Sequence, residues 1–267
     1  MNTANVGTSS RTPFKHWLFN AHLGQMIGAT STGKTPTNRA VKVFDLCAGD
    51  GLDTYGECSS SPSIIRKHMT SEIRGGYLES RVSHLYEREA AAFNSLLEKH
   101  GDCPQMNLHH QDSREIDLSG LVSDKDSSFV YADPNNIDQL PITQKMVNDL
   151  TPLTLYLMTL GCNVAGLKRL SVEARLRWFQ MIEMLTETVR GHHDVQLIWL
   201  NRDSSQWAYL ACVPKKWSDV TMQKSLMAGQ KMWKDGVQGL TIKRDGMAAF
   251  KAIIRQLFLT KEENQKQ

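Results

Sequence analysis

The sequence lacks the features that mark membrane-spanning, disulfide-rich and zinc-stabilised proteins. Its densest apolar stretch, 153–160, is far shorter than the roughly 20 residues that a membrane helix needs. The N-terminal segment has no apolar core of the signal-peptide type, and the 5 cysteines are odd in number, scattered and never arranged as CxxC. We therefore predict a cytoplasmic protein with no membrane segment, no disulfide framework and no metal ion.

Acidic residues are absent from the first 39 positions, and this absence shows an uneven distribution of charge. Segment 1–39 has four basic residues, and 214–267 has eleven basic against five acidic residues. The middle, 40–213, has 16 basic and 23 acidic residues, so a net charge of +3 conceals an acidic body between two basic ends. Basic ends are typical of proteins that contact polyanions, although a solvated helix face has the same composition.

The middle of the chain alternates apolar runs of strand length with segments of helical spacing. This alternation is typical of a mostly parallel sheet covered by helices. The predicted strands are 41–46, 82–86, 106–110, 128–132, 153–160, 195–200 and 207–213. The last two are joined by a short turn, which predicts an antiparallel hairpin. Helical turns are predicted before the sheet at 13–27 and after it at 217–233 and 247–258.

Acidic residues stand where four successive predicted strands end: Asp45, Glu87, Asp112 and Asp133. The carboxyl ends of parallel strands line one crevice, so these acids can converge on one ligand. The first is followed by the loop CAGDG, in which Gly49 and Gly51 allow a tight bend and a close approach to a ligand. The fuller GxGxxG spacing of dehydrogenases is absent.

The order of these motifs resembles the class I S-adenosylmethionine-dependent methyltransferases. VFDLCAGDG resembles their first motif, with Cys47 in place of a common glycine, and the acids after the next two strands resemble the second and third. The resemblance implies that Asp45 binds the amino group of the cofactor, directly or through water, that Glu87 binds its ribose hydroxyls and that Asp112 binds its adenine. The cofactor-binding residues implied in this way are Asp45, Cys47, Ala48, Gly49, Gly51, Glu87 and Asp112.

A narrower resemblance covers DLCAGDGLDTYGECSSSPSIIRKH and the preceding FKHWLFNAHLGQM. Together they are similar to the methyltransferase-type three-Cys-motif partner proteins, which have a lysine-containing first helix and a glycine loop followed by a G-x-x-x-S-P element. This resemblance implies architecture rather than a substrate.

The fourth motif, DPNN, begins with Asp133 and Pro134. The resemblance places it where methyltransferases acting on base amines have an acid, two prolines and an aromatic residue. There the acid and the adjacent carbonyl accept hydrogen bonds from the amine, and the aromatic ring stacks on an extruded base. We predict Asp133 and Pro134 as catalytic residues; the alternative for Asp133 is a structural or cofactor-side strand end. Because the usual aromatic residue is missing, stacking must come from elsewhere, and Tyr131, Tyr55 and a tryptophan are the candidates. We predict Tyr131 and Asn135 as substrate contacts.

Positions 28–35, GATSTGKT, match the phosphate-loop pattern at every fixed position. The context is wrong, because a phosphate loop follows a strand and opens a helix, whereas here a helical pattern precedes the match and Pro36 follows it. We predict instead a basic loop near the cofactor entrance. Lys34 in this loop, and Lys215 and Lys216 at the start of the basic C-terminal segment, are predicted to contact the substrate.

The sequence thus predicts an α/β protein of the Rossmann-like class I methyltransferase fold, with a mostly parallel seven-stranded sheet and a terminal antiparallel hairpin. The predicted domains are a basic helical extension at 1–39, a catalytic domain at 40–214 and a basic helical extension at 215–267. The predicted function is methyl transfer from S-adenosylmethionine to an exocyclic amine of a nucleic acid base, with DNA favoured over RNA as the partner. The alternatives are a protein or small-molecule methyltransferase, or a non-catalytic cofactor-binding partner protein.

Overall fold

The computed structural model describes residues 12–31, 40–53, 59–71, 81–123, 125–134, 154–159, 171–189, 191–202, 205–215 and 240–243. Within them the chain forms four α-helices, one short 3₁₀ helix at Ser113–Glu115 and eight strands. The helices are α1 (Thr12–Ser31), α2 (Ser61–Thr70), α3 (Ala90–His100) and α4 (Val172–Val189). The strands are β1 (Val41–Asp45), β2 (Arg81–Glu87), β3 (Met106–His110), β4 (Ser127–Ala132), β5 (Thr154–Thr159), β6 (His193–Arg202), β7 (Ser205–Pro214) and β8 (Leu240–Lys243).

All eight strands belong to one sheet, in the order β3-β2-β1-β4-β5-β7-β6-β8. Strands β3, β2, β1, β4 and β5 pair in parallel, whereas β7 is antiparallel to both of its neighbours. The predicted Rossmann-like fold is therefore confirmed, including the antiparallel hairpin of β6 and β7. The predicted count of seven strands is not confirmed, because β8 extends the sheet by pairing antiparallel with β6.

Helix α1 is longer than the sequence predicted and packs directly on the sheet. Leu18, Phe19 and Leu23 are fully buried on it. The Phe19 ring stacks on Tyr131 of β4 with centroids 4.4 Å apart and meets Phe129 edge-on at 5.4 Å. These apolar residues form one helix face that packs on the sheet.

Helix α2 carries its own start signal beside the glycine loop. The Ser60 hydroxyl accepts a hydrogen bond from the Ser63 backbone N–H at 3.3 Å and donates one to the Gly51 carbonyl at 3.0 Å. A serine at this position satisfies a backbone N–H that has no partner within the helix. The cap therefore fixes the start of α2 against the end of the loop.

The predicted domain boundaries remain a prediction, but two elements outside 40–214 contribute to the same folded unit. Helix α1 supplies core residues, and β8 extends the sheet. None of the described helices is long and apolar enough to cross a membrane. The phosphate-loop match begins inside α1, which continues to Ser31, so a helix stands where a phosphate loop requires a strand.

Candidate functional site

The four predicted acids lie at the carboxyl edge of four neighbouring strands. Asp45 ends β1 and Glu87 ends β2, while Asp112 and Asp133 follow β3 and β4 within two residues. The sheet order β3-β2-β1-β4 arranges them as Asp112, Glu87, Asp45 and Asp133. The edge of the parallel sheet thus collects carboxylates that lie far apart in sequence.

Backbone hydrogen bonds join the glycine loop to β4 and β2, the strands on either side of β1. The Leu46 N–H donates to the Tyr131 carbonyl at 2.9 Å, and the Ala48 N–H donates to the Tyr86 carbonyl at 3.1 Å. Gly49 and Gly51 both have a φ of +68°, a left-handed conformation that side chains with a Cβ rarely adopt. The loop therefore has a fixed shape directly above the acids.

Asp45 is completely buried beneath this loop. Its Oδ1 accepts a hydrogen bond from the Cys47 N–H at 3.2 Å, but its buried Oδ2 has no hydrogen-bond partner. Burial raises the pKa of Asp45 to about 7, although the Ser61 hydroxyl and the Cys47 N–H act in the opposite direction. The neighbouring Asp133 and Glu87 charges raise the pKa further. A buried carboxylate oxygen without a partner in the protein can accept a hydrogen bond from a water molecule or from a ligand.

Glu87 joins β2 to the glycine loop. Its Oε2 accepts a hydrogen bond from the Gly49 N–H at 2.9 Å, and its Oε1 accepts one from the Glu89 N–H at 2.8 Å. A carboxylate has about four acceptor sites, so each oxygen can still accept a hydroxyl proton. Glu87 is therefore held in a fixed orientation, and part of its capacity to accept hydrogen bonds stays unused.

Asp112 is already occupied by an ion pair. Both of its oxygens contact the Arg114 guanidinium, and its Oδ1 also caps the 3₁₀ helix by accepting from the Arg114 N–H at 2.9 Å. The arginine lowers the pKa of Asp112 to about 2. The predicted contact of Asp112 with the adenine stays a prediction, and it would require Arg114 to share this carboxylate.

Asp133 is held by two donors from different elements. The Lys15 Nζ of α1 lies 3.0 Å from each Asp133 oxygen, and the Tyr131 hydroxyl donates to Oδ2 at 3.4 Å. The Lys15 and Asp133 side chains are 13% and 15% exposed, so the pair is largely shielded from water. Pro134, the second predicted catalytic residue, is buried immediately after it. The pair joins residues that are 118 positions apart.

Cys47 and His16 complete the surroundings of Asp133. Burial and the nearby Asp45 and Asp133 charges raise the pKa of the Cys47 thiol well above its ordinary value. Burial lowers the pKa of His16, against the effect of the Asp133 carboxylate. Both side chains are therefore expected to be uncharged at neutral pH.

Two predicted substrate contacts have partners within the protein and stay predictions. Tyr131 is only 1% exposed and stacks on Phe19. Lys215 follows β7, which runs opposite to the parallel strands and ends beside the start of β6. Its Nζ donates to the Gly191 carbonyl at 3.1 Å, at the edge of the sheet opposite the acids. Lys34, Asn135 and Lys216 lie outside the described residues.

Lys15, which forms the ion pair with Asp133, is marked in the sequence only by its place in the lysine-containing first helix of the narrower resemblance. No group of three or more potential metal ligands occurs in the part of the chain that the structure describes. His109 stacks on Tyr86 and His110 on Phe93, so the adjacent histidines have different surroundings, as expected in a strand.

The two loop glycines should respond differently to substitution. A Cβ on Gly49 would meet no other heavy atom within 4 Å, whereas one on Gly51 would lie 2.9 Å from His100 Cδ2 and from Leu96 Cδ1. Both alanine variants are strained by the positive φ, but only Gly51→Ala also overpacks its surroundings. We expect urea denaturation to show Gly51→Ala less stable than Gly49→Ala by about 2 kcal/mol. Equal stabilities would contradict this packing.

The space beside Gly49 matters for the cofactor that the sequence implies. Close approach of a ligand to the loop requires room where a Cβ would stand, and Gly49 leaves that room open. Asp45 offers an acceptor oxygen to an ammonium group, and Glu87 offers acceptors to hydroxyls. These acceptor oxygens therefore fit the amino acid and ribose portions of S-adenosylmethionine.

Comparison with known proteins finds similar solved structures but no family for this chain. No protein-family model matches the chain, and no curated protein matches its sequence. Among solved structures, protein LPL1258 of Legionella pneumophila, from the family model DUF519, is 11% identical with a TM-score of 0.53, over 91% of this chain and 98% of its own. Fibrillarin of Aeropyrum pernix, solved with S-adenosylmethionine, is 15% identical with a TM-score of 0.43, over 74% of this chain and 76% of its own.

A third similar structure is the N-methyltransferase NodS of Bradyrhizobium japonicum, solved with S-adenosylhomocysteine. It is 10% identical with a TM-score of 0.42, over 74% of this chain and 88% of its own. At 11% identity, the similarity to LPL1258 concerns the fold alone.

Proposed function

We propose that this chain is an S-adenosylmethionine-dependent methyltransferase that acts on nucleic acid. The observation that carries the proposal is the buried, unpartnered Oδ2 of Asp45 beneath a glycine loop that leaves room for a ligand. A fully buried carboxylate with one oxygen unsatisfied costs stability, and such a cost is typical of a functional site. The ammonium group of the cofactor would satisfy that oxygen.

Each residue at the sheet edge has a distinct role in this proposal. Asp45 binds the cofactor amino group, Glu87 accepts hydrogen bonds from the ribose hydroxyls, and the loop from Cys47 to Gly51 encloses the amino acid portion. S-adenosylmethionine supplies a methyl group activated by its sulfonium. Little further catalysis is needed, because the rate comes mainly from holding the acceptor in line with that methyl group.

Asp133 and Pro134 are proposed to face the acceptor, which the sequence predicts to be an exocyclic amine of a base. The Asp133 carboxylate and the adjacent carbonyl would accept the amine hydrogens and keep the nitrogen lone pair directed at the methyl carbon. The nitrogen–carbon bond forms as the carbon–sulfur bond breaks, and the methylated nitrogen then releases one proton to water. The choice of nucleic acid as the substrate class rests on the DP sequence and the basic chain ends.

Transfer of labelled methyl from S-adenosylmethionine tests this proposal. DNA, RNA and a protein mixture are offered separately to the full chain, and label is expected in nucleic acid, with DNA favoured. The logarithm of the binding constant for nucleic acid should fall linearly with the logarithm of the salt concentration, because neutralised phosphates release counterions. Label in protein alone would support the protein methyltransferase, and cofactor binding without transfer to any acceptor would support the non-catalytic partner protein.

A further inference from the structure

The contact between Lys15 and Asp133 joins the first helix to the predicted acceptor site. The Nζ lies 3.0 Å from both carboxylate oxygens, a geometry that fixes the orientation of the carboxylate as well as balancing its charge. Neither side chain is more than 15% exposed, so solvent screening of the pair is reduced.

Lys15 is placed by packing that does not depend on the ion pair. Phe19, one turn later on α1, stacks on Tyr131, and Tyr131 in turn donates its hydroxyl to Asp133. Leu18 and Leu23 are fully buried on the same helix. The apolar contacts would therefore keep α1 on β4 if the lysine charge were removed. What Lys15 adds is a positive charge and two directed contacts at one carboxylate.

The charge is needed because carboxylates are crowded at this edge. Asp133 and Glu87 both act on the buried Asp45, and Asp133 also acts on the Cys47 thiol. A third carboxylate without a counterion would repel the others and turn toward water. An acceptor carboxylate that turns by about 1 Å loses its alignment with the reacting atoms, and such misplacement can cost about 10²-fold in rate.

We propose that Lys15 is a positioning residue for methyl transfer, which balances the charge of Asp133 and holds its carboxylate toward the acceptor. Helix α1 is then part of the catalytic unit rather than an extension of it. This inference rests on the proposed function, because it assigns Lys15 a role only if Asp133 faces the acceptor.

The experiment compares Lys15→Met, Lys15→Arg and the control Lys67→Met, whose lysine is exposed on the neighbouring helix α2. Lys15→Met should lower kcat for nucleic acid methylation about 10²-fold. The KM for nucleic acid and the cofactor Kd should change little, whereas the urea unfolding midpoint should fall, because Asp133 is left without its counterion in a largely shielded position. Lys15→Arg should recover much of kcat, because a guanidinium can contact both carboxylate oxygens. Lys67→Met should behave as the unsubstituted protein.

A kcat of Lys15→Met equal to that of the unsubstituted protein would overturn the positioning role. An effect of Lys15→Met that is confined to a raised KM, or to a lowered unfolding midpoint, would also overturn the positioning role. If Lys15→Met does not fold, Lys15→Gln replaces it and is judged by the same readouts. Absence of transfer by the unsubstituted protein would instead overturn the proposed function, and the role of Lys15 with it.

Discussion

Replacement of Asp133 by asparagine is expected to lower methyl transfer to nucleic acid by about 10²–10³-fold, the usual loss when a directed polar group at a transition state is removed. The amide has nearly the same shape, but it can present its NH₂ group where the amine needs an acceptor. The substitution also removes the negative charge of Asp133, whose two oxygens both contact the Lys15 Nζ. Single-turnover transfer of labelled methyl measures the effect.

The control for this variant is the cofactor Kd, which should change by less than about threefold, because Asp133 is proposed to face the acceptor rather than the cofactor. Glu87→Gln provides the matched contrast, since it should weaken cofactor binding and leave the rate at saturation nearly unchanged. Full transfer activity in Asp133→Asn would remove Asp133 from the mechanism.

Asp45→Asn is expected to weaken cofactor binding and to stabilise the protein without its cofactor. Loss of one partner from a buried charge pair costs about 2–5 kcal/mol, so the cofactor Kd should rise by at least about 30-fold. The asparagine has no charge to bury, so the variant should unfold at higher urea than the unsubstituted protein at pH 8. An increase in stability coupled to a loss of binding is typical of a site that is strained for function.

The pH dependence of this effect follows from the raised pKa of Asp45, about 7 in the folded protein. Between the ordinary pKa of an aspartate near 4 and pH 7, the unfolded chain loses a proton that the folded chain retains. The unfolding free energy of the unsubstituted protein therefore falls through this interval, on the order of a few kcal/mol. Asp45→Asn lacks this contribution. The unfolding free energy of the variant should therefore exceed that of the unsubstituted protein by an amount that grows from pH 4 to 7 and then stays constant.

Asp112→Asn is the control for this pH dependence. Arg114 lowers the pKa of Asp112, so this carboxylate contributes stability above pH 4 and its removal should not stabilise the protein. Urea denaturation at pH 5 and pH 8 separates the two aspartates. Equal behaviour of Asp45→Asn and Asp112→Asn would contradict the buried, unsatisfied state of Asp45.

The sheet and the edge that collects the acids could be predicted from the sequence because both depend on local patterns. Each buried strand reads as a short apolar run, and parallel strands necessarily end at the same edge. The convergence of Asp45, Glu87 and Asp133 could therefore be predicted without information on the packing between elements. The positive φ of Gly49 and Gly51 likewise follows from the tight turn after β1.

The remaining features depend on contacts that no local pattern records. The pair of Lys15 and Asp133 spans 118 positions and requires the packing of Phe19 on Tyr131. The aromatic ring of Tyr131 favours a substrate contact in the sequence, whereas in the structure every residue of β4 is buried. The charge of Lys215 favours a substrate contact as well, whereas the reversed direction of β7 places Lys215 at the sheet edge opposite the acids. Strand β8 is four residues long and too short to stand out.

Titration of the full chain with S-adenosylmethionine tests the central claim most directly. We expect saturable binding by calorimetry and an increase in the unfolding temperature on addition of the cofactor. Binding should strengthen as the pH rises through about 7, because an ammonium partner favours the ionised form of Asp45. No heat and no thermal shift at any pH between 6 and 8 would contradict the assignment of this sheet edge as a cofactor site.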